Sequence, residues 1–512
     1  MSPSTFADVL AAGANRESVF AIAPKAAATL TYAQLARTTA DLDATFDAWG
    51  IERGAVVAYM LPNGLAALQL FLATMGCGRI VLPFNLLSQD SQLEYVIGHA
   101  RPRVVFANDE HAPRLEAAAA RAGVSSRIEL CENDAVASLH HGSWRTPARV
   151  SPGDAALLMY TSGTTGVPKG VLLTHANMLH AARAVVAHQS LSAHDRVLSS
   201  LPLYHINGQC IATVSSLVGG GSIVLPEKFS TSQWWSLVEQ HRPTWLNLVP
   251  TIVAYLLNGP PLTPGQREAA RGIRYARSAS APLPPDHQHA FETRFGIPIV
   301  EAMGLTECAS VAFCNPMPPA RRRTGSAGKP LGVEARVVDA SGTTLVDNER
   351  GEIQVRGPNV MHAYHRPGAS TSPAVSSDGW LATGDLGYRD GDGFYFITGR
   401  LKELIIKGGE NIAPREIDEA LLRHPDVLEA AAVGVPDREY GQQILACVVR
   451  KPGATLDEVQ LLAHALRELG RYKAPKYLRF VDELPKGPSG KVQRLKLAEA
   501  FDVDSAARDV VK

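Results

Sequence analysis

Apolar and polar positions alternate with two different periods along the chain. Residues 54–60 and 103–107 are short runs rich in valine and other strand formers, which predict β-strands. Residues 65–76 are apolar over the length of a helix, and Thr31, a helix-capping residue type, precedes apolar positions at helical spacing. Strands that alternate with helices predict an α/β domain with a largely parallel sheet.

The pattern changes twice in the second half of the chain. Beyond Gly325 the short Val- and Gly-rich runs 334–338 and 351–356 predict a small antiparallel sheet or barrel. Near Gly399 a second change introduces a strand, a Gly-Gly turn, a helix over 414–424, two strands and a helix over 456–469. The remaining stretch of about 110 residues is long enough for an independent α+β domain.

Composition restricts the class of protein. A chain of 512 residues is too long for one core, and about 150 residues per domain predicts roughly three units. Lysine plus arginine equals aspartate plus glutamate at 50 each, so no net charge recruits nucleic acid or a membrane surface. The six cysteines form no C-x-x-C pair, and we find neither a secretory signal nor an apolar membrane span, which together predict a reduced, cytoplasmic protein.

A polar, glycine-rich loop stands out at residues 160–170, Tyr-Thr-Ser-Gly-Thr-Thr-Gly-Val-Pro-Lys-Gly, directly after an apolar run. Its glycines allow close approach of backbone N–H groups, and its hydroxyls and Lys169 donate to anionic oxygens, so the loop suits a polyphosphate. The spacing differs from that of a Walker loop. Composition alone leaves an ordinary linker equally open.

As a string, this loop resembles the signature of the adenylate-forming superfamily of acyl-CoA synthetases, aryl-CoA ligases, luciferases and peptide-synthetase adenylation domains. Further stretches resemble the motifs of this superfamily in the same order, and together they cover nearly the whole chain. They lie at residues 201–205, 278–283, 301–307, 380–385, 398–400, 408–412 and 484–494.

The resemblance implies a nucleotide site. The residues that it assigns to the pyrophosphate half of ATP are Thr161, Ser162, Gly163, Thr164, Thr165, Gly166 and Lys169. Those that it assigns to adenine and ribose are Ser280, Ala281, Met303, Asp385 and Arg400. Met303 replaces the usual aromatic residue, and a polarizable thioether is able to cover a ring face in its place. Glu307, with Thr165, is expected to hold Mg²⁺, because a hard cation prefers oxygen ligands.

The resemblance also implies two half-reactions. Lys491, Thr306, Glu307 and His205 are the expected catalytic residues, with Lys491 stabilising the charge that forms when a carboxylate attacks the α-phosphorus of ATP. An N-terminal adenylation domain, residues 1–399, with two α/β subdomains and a small β-barrel-like subdomain, would join a mobile C-terminal α+β domain, residues 403–512, through a hinge at 400–402. Rotation about Lys402 would then bring Gly408 and Gly409 to the site for attack by coenzyme A.

The predicted function is therefore AMP-forming acid–CoA ligation, in which an acyl-adenylate forms first and the thioester of coenzyme A forms second. The residues expected around the acyl group are Tyr204, Asn207, Gln209 and Ser280. A long alkyl chain would leave these polar groups unpaired, which disfavours fatty acids. This region also resembles that of ligases for crotonobetaine, carnitine, oxalate and sulfoacetate. We therefore expect a short polar or anionic acid such as sulfoacetate or oxalate.

Several alternatives remain open. One is a medium-chain, long-chain or aryl acyl-CoA synthetase, and another is a non-catalytic binding protein on the same scaffold. A peptide-synthetase adenylation domain is disfavoured because no aspartate after His205 is placed to hold an α-amino group. The absence of a peroxisomal tripeptide is weak evidence against a luciferase. A monomer and a homodimer are equally compatible with the sequence.

Overall fold

The computed structural model describes residues 3–135, 150–161, 168–365, 372–373, 375–486 and 492–500. Its first sheet has the nine strands β1 (Val19–Ala23), β2 (Ala28–Thr31), β9 (Arg196–Ser199), β10 (Ser222–Val224), β11 (Trp245–Leu248), β12 (Tyr275–Ser278), β13 (Ile299–Met303), β14 (Phe313–Cys314) and β15 (Lys329–Pro330). Their order is β15-β14-β13-β12-β11-β9-β10-β1-β2. Neighbours from β13 to β1 run parallel, whereas β2, β14 and β15 pair antiparallel.

The second sheet has the eight strands β3 (Val56–Met60), β4 (Ile80–Pro83), β5 (Val104–Ala107), β6 (Arg127–Leu130), β7 (Ala155–Thr161), β8 (Lys169–Thr174), β18 (Ala363–Tyr364) and β19 (Ser372–Pro373). Their order is β19-β18-β8-β7-β4-β3-β5-β6. Neighbours from β7 to β6 in this order run parallel, whereas the pairs β7–β8, β8–β18 and β18–β19 are antiparallel. The predicted α/β alternation and largely parallel sheet are confirmed. Apolar residues of both sheets meet in one large core.

The helices of these layers are α1 (Phe6–Gly13), α2 (Tyr32–Ala48), α3 (Leu65–Gly76), α4 (Asp90–Ala100), α5 (Ala112–Arg121), α6 (His175–Gln189), α7 (Ser215–Gly219), α8 (Thr231–His241), α9 (Pro250–Leu257), α10 (Pro264–Ala270) and α11 (Pro285–Phe295). The predicted cap of α2 is confirmed, because the Thr31 hydroxyl accepts a hydrogen bond from the Gln34 amide. The structure also contains 3₁₀ turns at Thr306–Cys308, Pro319–Arg321 and Leu401–Glu403.

A fully buried π-helix, Asn207–Val214, was not predicted. Its apolar and polar residues are all inside, so it has no amphipathic pattern to identify it. It packs so closely that a Cβ at Gly208 would lie 2.6 Å from the Pro202 carbonyl oxygen. Only glycine fits there, and this contact holds the π-helix against the segment that carries Tyr204 and His205.

The third sheet has four antiparallel strands, β16 (Glu334–Val338), β17 (Gly351–Arg356), β20 (Leu381–Arg389) and β21 (Tyr395–Arg400). Each strand pairs with the next of these four along the chain. The predicted bounds of β16 and β17 are confirmed, and the pairings show a sheet without showing closure into a barrel.

The fourth sheet contains β22 (Ile405–Lys407), β23 (Glu410–Ile412), β24 (Val427–Asp437), β25 (Gly441–Arg450) and β26 (Tyr477–Phe480), with helices α12 (Pro414–Leu422), α13 (Glu458–Lys473) and α14 (Arg494–Glu499). Both α12 and α13 contribute to an apolar cluster with this sheet, which gives the C-terminal residues an α+β core of their own. Among all described residues, no helix is long and apolar enough to cross a membrane.

Candidate active site

A cavity of about 260 Å³ lies between the carboxyl ends of the first sheet and the C-terminal elements. One wall contains the predicted nucleotide residues Ser280, Ala281, Met303, Asp385 and Arg400. The facing wall includes Arg415, Lys486, Val492 and Arg494. Ligands of open α/β sheets bind at the carboxyl ends of the strands, so the position agrees with a nucleotide site.

The predicted adenine residues follow the ends of neighbouring parallel strands. Ser280 comes two residues after β12 and has φ +75°, and Met303 is the last residue of β13. The Ser280 hydroxyl accepts a hydrogen bond from Asn207 Nδ2 at 3.1 Å, which connects this wall to the predicted acyl residues. Sheet topology therefore brings together two segments that lie far apart in the sequence.

The predicted ribose pair is preassembled. Asp385 and Arg400 are register partners on the antiparallel strands β20 and β21. Arg400 Nε donates to Asp385 Oδ1 at 2.6 Å, and the carboxylate is buried. A charge-assisted bond of this kind fixes the orientation of both side chains before a nucleotide arrives.

Two of the predicted phosphate residues, Thr161 and Lys169, lie at one end of a hairpin. Thr161 and Lys169 are register partners at the ends of β7 and β8. Between them, Ser162, Gly163, Thr164, Thr165 and Gly166 lie outside the described residues. The Lys169 amine stands 5.1 Å from the centre of the Tyr364 ring, which places it over that ring. The base of the predicted phosphate loop thus contacts an aromatic residue that belongs to none of the sequence motifs.

Tyr364 joins the phosphate hairpin to the predicted metal residue. Its hydroxyl donates to Glu307 Oε1 at 3.2 Å, and its backbone is in register with Val171 of β8. Burial raises the pKa of Glu307, while the hydrogen bond from Tyr364 and the charge of Arg400 oppose that rise. No sequence pattern indicated Tyr364, because a lone tyrosine after an irregular segment carries no periodic signal.

The residues around Glu307 fit a magnesium ion. A half-buried carboxylate that burial makes costly to ionise gains from a nearby cation. Within the described ranges, no group of three or more His, Cys, Asp or Glu side chains could hold a metal by itself. Glu307 is a single carboxylate, and proteins commonly bind Mg²⁺ through one or two carboxylates and the phosphates of the substrate. Thr306 precedes Glu307 in the same 3₁₀ turn.

The predicted acyl residues surround the start of the π-helix. The backbone N–H of Asn207 donates to His205 Nδ1 at 3.3 Å. Burial lowers the pKa of His205 to about 4, so the imidazole is neutral near pH 7. Gln209 Nε2 donates to the Leu203 carbonyl at 2.7 Å. Burial raises the pKa of the half-buried Tyr204 to about 12.

Asn247 of β11 is a further polar residue of this region that the sequence reasoning missed. Its Nδ2 donates to Asn207 Oδ1 at 3.2 Å, while its own Oδ1 is buried without a partner in the described structure. A chain of side-chain amides and a hydroxyl therefore runs from Asn247 through Asn207 to Ser280.

The described C-terminal residues differ in whether they line the cavity. Lys491 lies outside the described residues, but its neighbours Lys486 and Val492 line the cavity. Gly408 and Gly409 are described and are not among the residues that line it. Lys402 lies in the 3₁₀ turn between β21 and β22, and its role as a hinge stays a prediction.

Comparisons with known proteins agree with this geometry. Residues 8–365 match the family of AMP-binding enzymes, and residues 416–491 match the C-terminal domain of AMP-binding enzymes. The chain is 50% identical over 483 residues to a sulfoacetate–CoA ligase of Cupriavidus necator, covering 93% of this chain and 94% of that protein. It is 34% identical over 467 residues to an oxalate–CoA ligase of Arabidopsis thaliana, covering 88% and 89%.

A solved structure of ATP-bound MatB from Rhodopseudomonas palustris superposes with a TM-score of 0.86 at 32% identity, covering 98% of this chain and 100% of that one. This agreement over nearly the full length supports the predicted fold and chemistry together. The chain belongs to the family of AMP-binding enzymes, and the prediction of an AMP-forming acid–CoA ligase is confirmed.

Proposed function

We propose that this ligase activates a short acid that carries a second polar or anionic group, with sulfoacetate and oxalate as candidates. The observation that carries the proposal is the 50% identity to a relative named a sulfoacetate–CoA ligase over 93% of the chain. The polar residues Asn207, Asn247 and Ser280 support it, because a long alkyl chain would leave such groups without hydrogen bonds.

In the first half-reaction a carboxylate oxygen of the acid attacks the α-phosphorus of ATP, and the bond to pyrophosphate breaks. We propose that Lys169 and the hydroxyls of the phosphate loop hold the leaving pyrophosphate, while Thr306 and Lys491 face the α-phosphate. A bound Mg²⁺ on Glu307 would neutralise part of the phosphate charge. Asp385 and Arg400 would bind the ribose, and Ser280, Ala281 and Met303 would cover the adenine.

In the second half-reaction the thiol of coenzyme A attacks the carbonyl carbon of the acyl-adenylate, and AMP leaves. We propose that His205 borders the acyl group as a neutral imidazole, since burial lowers its pKa to about 4. Rotation about Lys402 would exchange Lys491 for the turn at Gly408 and Gly409. The two transition states would then use different residues at one cavity.

A panel of acids tests the substrate class. Purified protein with ATP, Mg²⁺ and coenzyme A would be assayed for pyrophosphate release with sulfoacetate, oxalate, malonate, propionate, octanoate and benzoate. We expect kcat/KM to be highest on a short acid with two anionic groups. Highest turnover on octanoate or benzoate would contradict the substrate class, and no release with any acid would favour a binding protein.

A cytoplasmic location stays a prediction.

A further inference from the structure

Arg277 is a fully buried cation on β12. In the part of the chain that the structure describes, none of its three guanidinium nitrogens has an oxygen or nitrogen partner, and its neighbour is the Cys314 thiol, a weak acceptor. Arginine stays protonated in proteins, and an unpaired buried charge is costly, so such a group normally has an anion beside it. Arg79 illustrates the usual arrangement, because this equally buried arginine forms ion pairs with Asp43 and Asp47.

Sheet register places Arg277 on the face that carries the acyl residues. Asn247 of β11 is the register partner of both Arg277 and Ser199 on the strands to either side. Partners in neighbouring parallel strands project to the same face of a sheet. Since Asn247 contacts Asn207 of the π-helix on that face, Arg277 lies beside the chain of polar groups that ends at Ser280.

The groups that sense the Arg277 charge are neutral near pH 7. Burial raises the pKa of Cys210 to about 12 and also raises that of Cys314, and the arginine only partly opposes both shifts. Burial lowers the pKa of His188, and Arg277 lowers it further. Burial also raises the pKa of the Tyr275 phenol, which Arg277 partly opposes. The guanidinium therefore sits among two protonated thiols, a neutral imidazole and a neutral phenol, none of which balances its charge.

The carboxylate of Glu301 does not fill this role. Val300 is the register partner of Arg277 on β13, so the next residue, Glu301, projects to the opposite face. There Glu301 Oε1 accepts a hydrogen bond from the Leu283 amide at 3.1 Å. Two uncharged acceptors on the acyl side, Gln209 Oε1 and Asn247 Oδ1, are also buried without a partner within the described ranges.

We propose that Arg277 is a specificity-determining residue that binds the anionic group at the end of the acid remote from the reacting carboxylate. The planar guanidinium fork suits a carboxylate or a sulfonate, both of which offer paired oxygens. A monocarboxylic alkyl acid would bring no charge to this position and would leave the guanidinium unpaired. The inference rests on the proposed function, because it explains why that site would favour a short dianionic acid.

The test compares acids rather than overall activity. Arg277→Met removes the charge at similar length, Arg277→Lys keeps a charge without the fork, and Arg274→Met is the matched control. Arg274 lies on the loop before the same strand and pairs with Asp195 at 2.6 Å. Pyrophosphate release gives kcat and KM for sulfoacetate and for propionate with each protein, and thermal unfolding shows whether each variant is folded.

We expect Arg277→Met to lower kcat/KM for sulfoacetate on the order of 100-fold, mainly through KM, with propionate unchanged or improved. Arg277→Lys should lose less, and Arg274→Met should keep the ratio between the two acids. Equal loss on both acids, or an unchanged ratio in Arg277→Met, would overturn the assignment. If Arg277→Met does not fold, an unchanged ratio in Arg277→Lys overturns it. Wild-type protein that prefers long or aryl acids would instead refute the proposed substrate class.

Discussion

At the scale of single residues, Tyr364 connects two parts of the candidate site that no motif connects. One face of its ring lies under the Lys169 amine, and its hydroxyl donates to Glu307 Oε1. Glu307 needs this donor because burial raises the pKa of its carboxyl group. A single phenol thus contacts both the carboxylate for which we propose a metal-binding role and the lysine at the base of the predicted phosphate loop.

Tyr364→Phe should test this connection. The substitution keeps the ring under Lys169 and removes the hydrogen bond to Glu307, which for a charged acceptor is worth about 1.5–3 kcal/mol. We expect kcat/KM for ATP in pyrophosphate release to fall about tenfold or more, with a higher requirement for Mg²⁺. Tyr388→Phe is the control, since the Tyr388 ring stacks on Phe396 instead. Equal activity of the two variants would refute the role of the phenol.

At the scale of elements, the turn between β22 and β23 is set by its two glycines. Lys407 and Glu410 are register partners, and Gly408 and Gly409 between them have φ +56° and +86°. Positive φ at both central residues is the requirement of a type I′ hairpin, which glycine meets without strain. Tyr472 of α13 holds the turn, because its hydroxyl donates to the Lys407 carbonyl at 2.5 Å.

Gly409→Ala should slow the thioester step more than adenylation. A Cβ at Gly409 meets no atom within 4 Å, so the cost arises from φ +86° alone, about 1–2 kcal/mol for a left-handed L-residue. We expect transfer of a supplied acyl-adenylate to coenzyme A to fall about tenfold, while pyrophosphate release stays within about twofold. Gly391→Ala is the matched control, because it also has open space and no positive φ. A larger loss in pyrophosphate release would contradict the assignment of this turn.

At the scale of the whole molecule, the C-terminal elements contribute Lys486 and Val492 to the cavity lining but not Gly408 or Gly409. Lys486 and Val492, on either side of the predicted catalytic lysine, line the cavity, and the Lys486 amine lies 5.6 Å from the centre of the Tyr255 ring on α9. Gly408 and Gly409 do not line it. We propose that this arrangement corresponds to the adenylating state, from which a rotation would present the glycine turn.

Lys491→Ala tests the two-state proposal. Because we propose that the Lys491 charge stabilises the transition state of adenylation, its removal should lower pyrophosphate release by about 10²–10³-fold or more. Transfer of a supplied acyl-adenylate to coenzyme A should persist, because that step would use the other state. Lys496→Ala, a change on the exposed face of α14, is the control and should leave both steps intact. Parallel loss of both half-reactions in Lys491→Ala would refute domain alternation.

Local residue order was sufficient to predict many of the elements and to name candidate site residues. The alternation of apolar runs, the Thr31 cap and the bounds of β16 and β17 agree with the structure, since hydrophobic periodicity and capping act over a few neighbouring residues. The order of motifs was likewise readable, because each motif is a short continuous string. The structure brings the ribose pair and the adenine segment into one cavity, as those motifs predicted.

Tertiary structure alone decided which side chains complete that site. Tyr364 and Glu307 are 57 residues apart, and the contact of Asn207 with Asn247 spans 40 residues, so no local period relates them. The unpaired state of Arg277 depends on sheet register and burial, neither of which a strand pattern contains. Burial also made His205 a neutral imidazole and made the ionised form of Glu307 costly, because the free energy of a charge depends on the surrounding medium, which only the folded chain supplies.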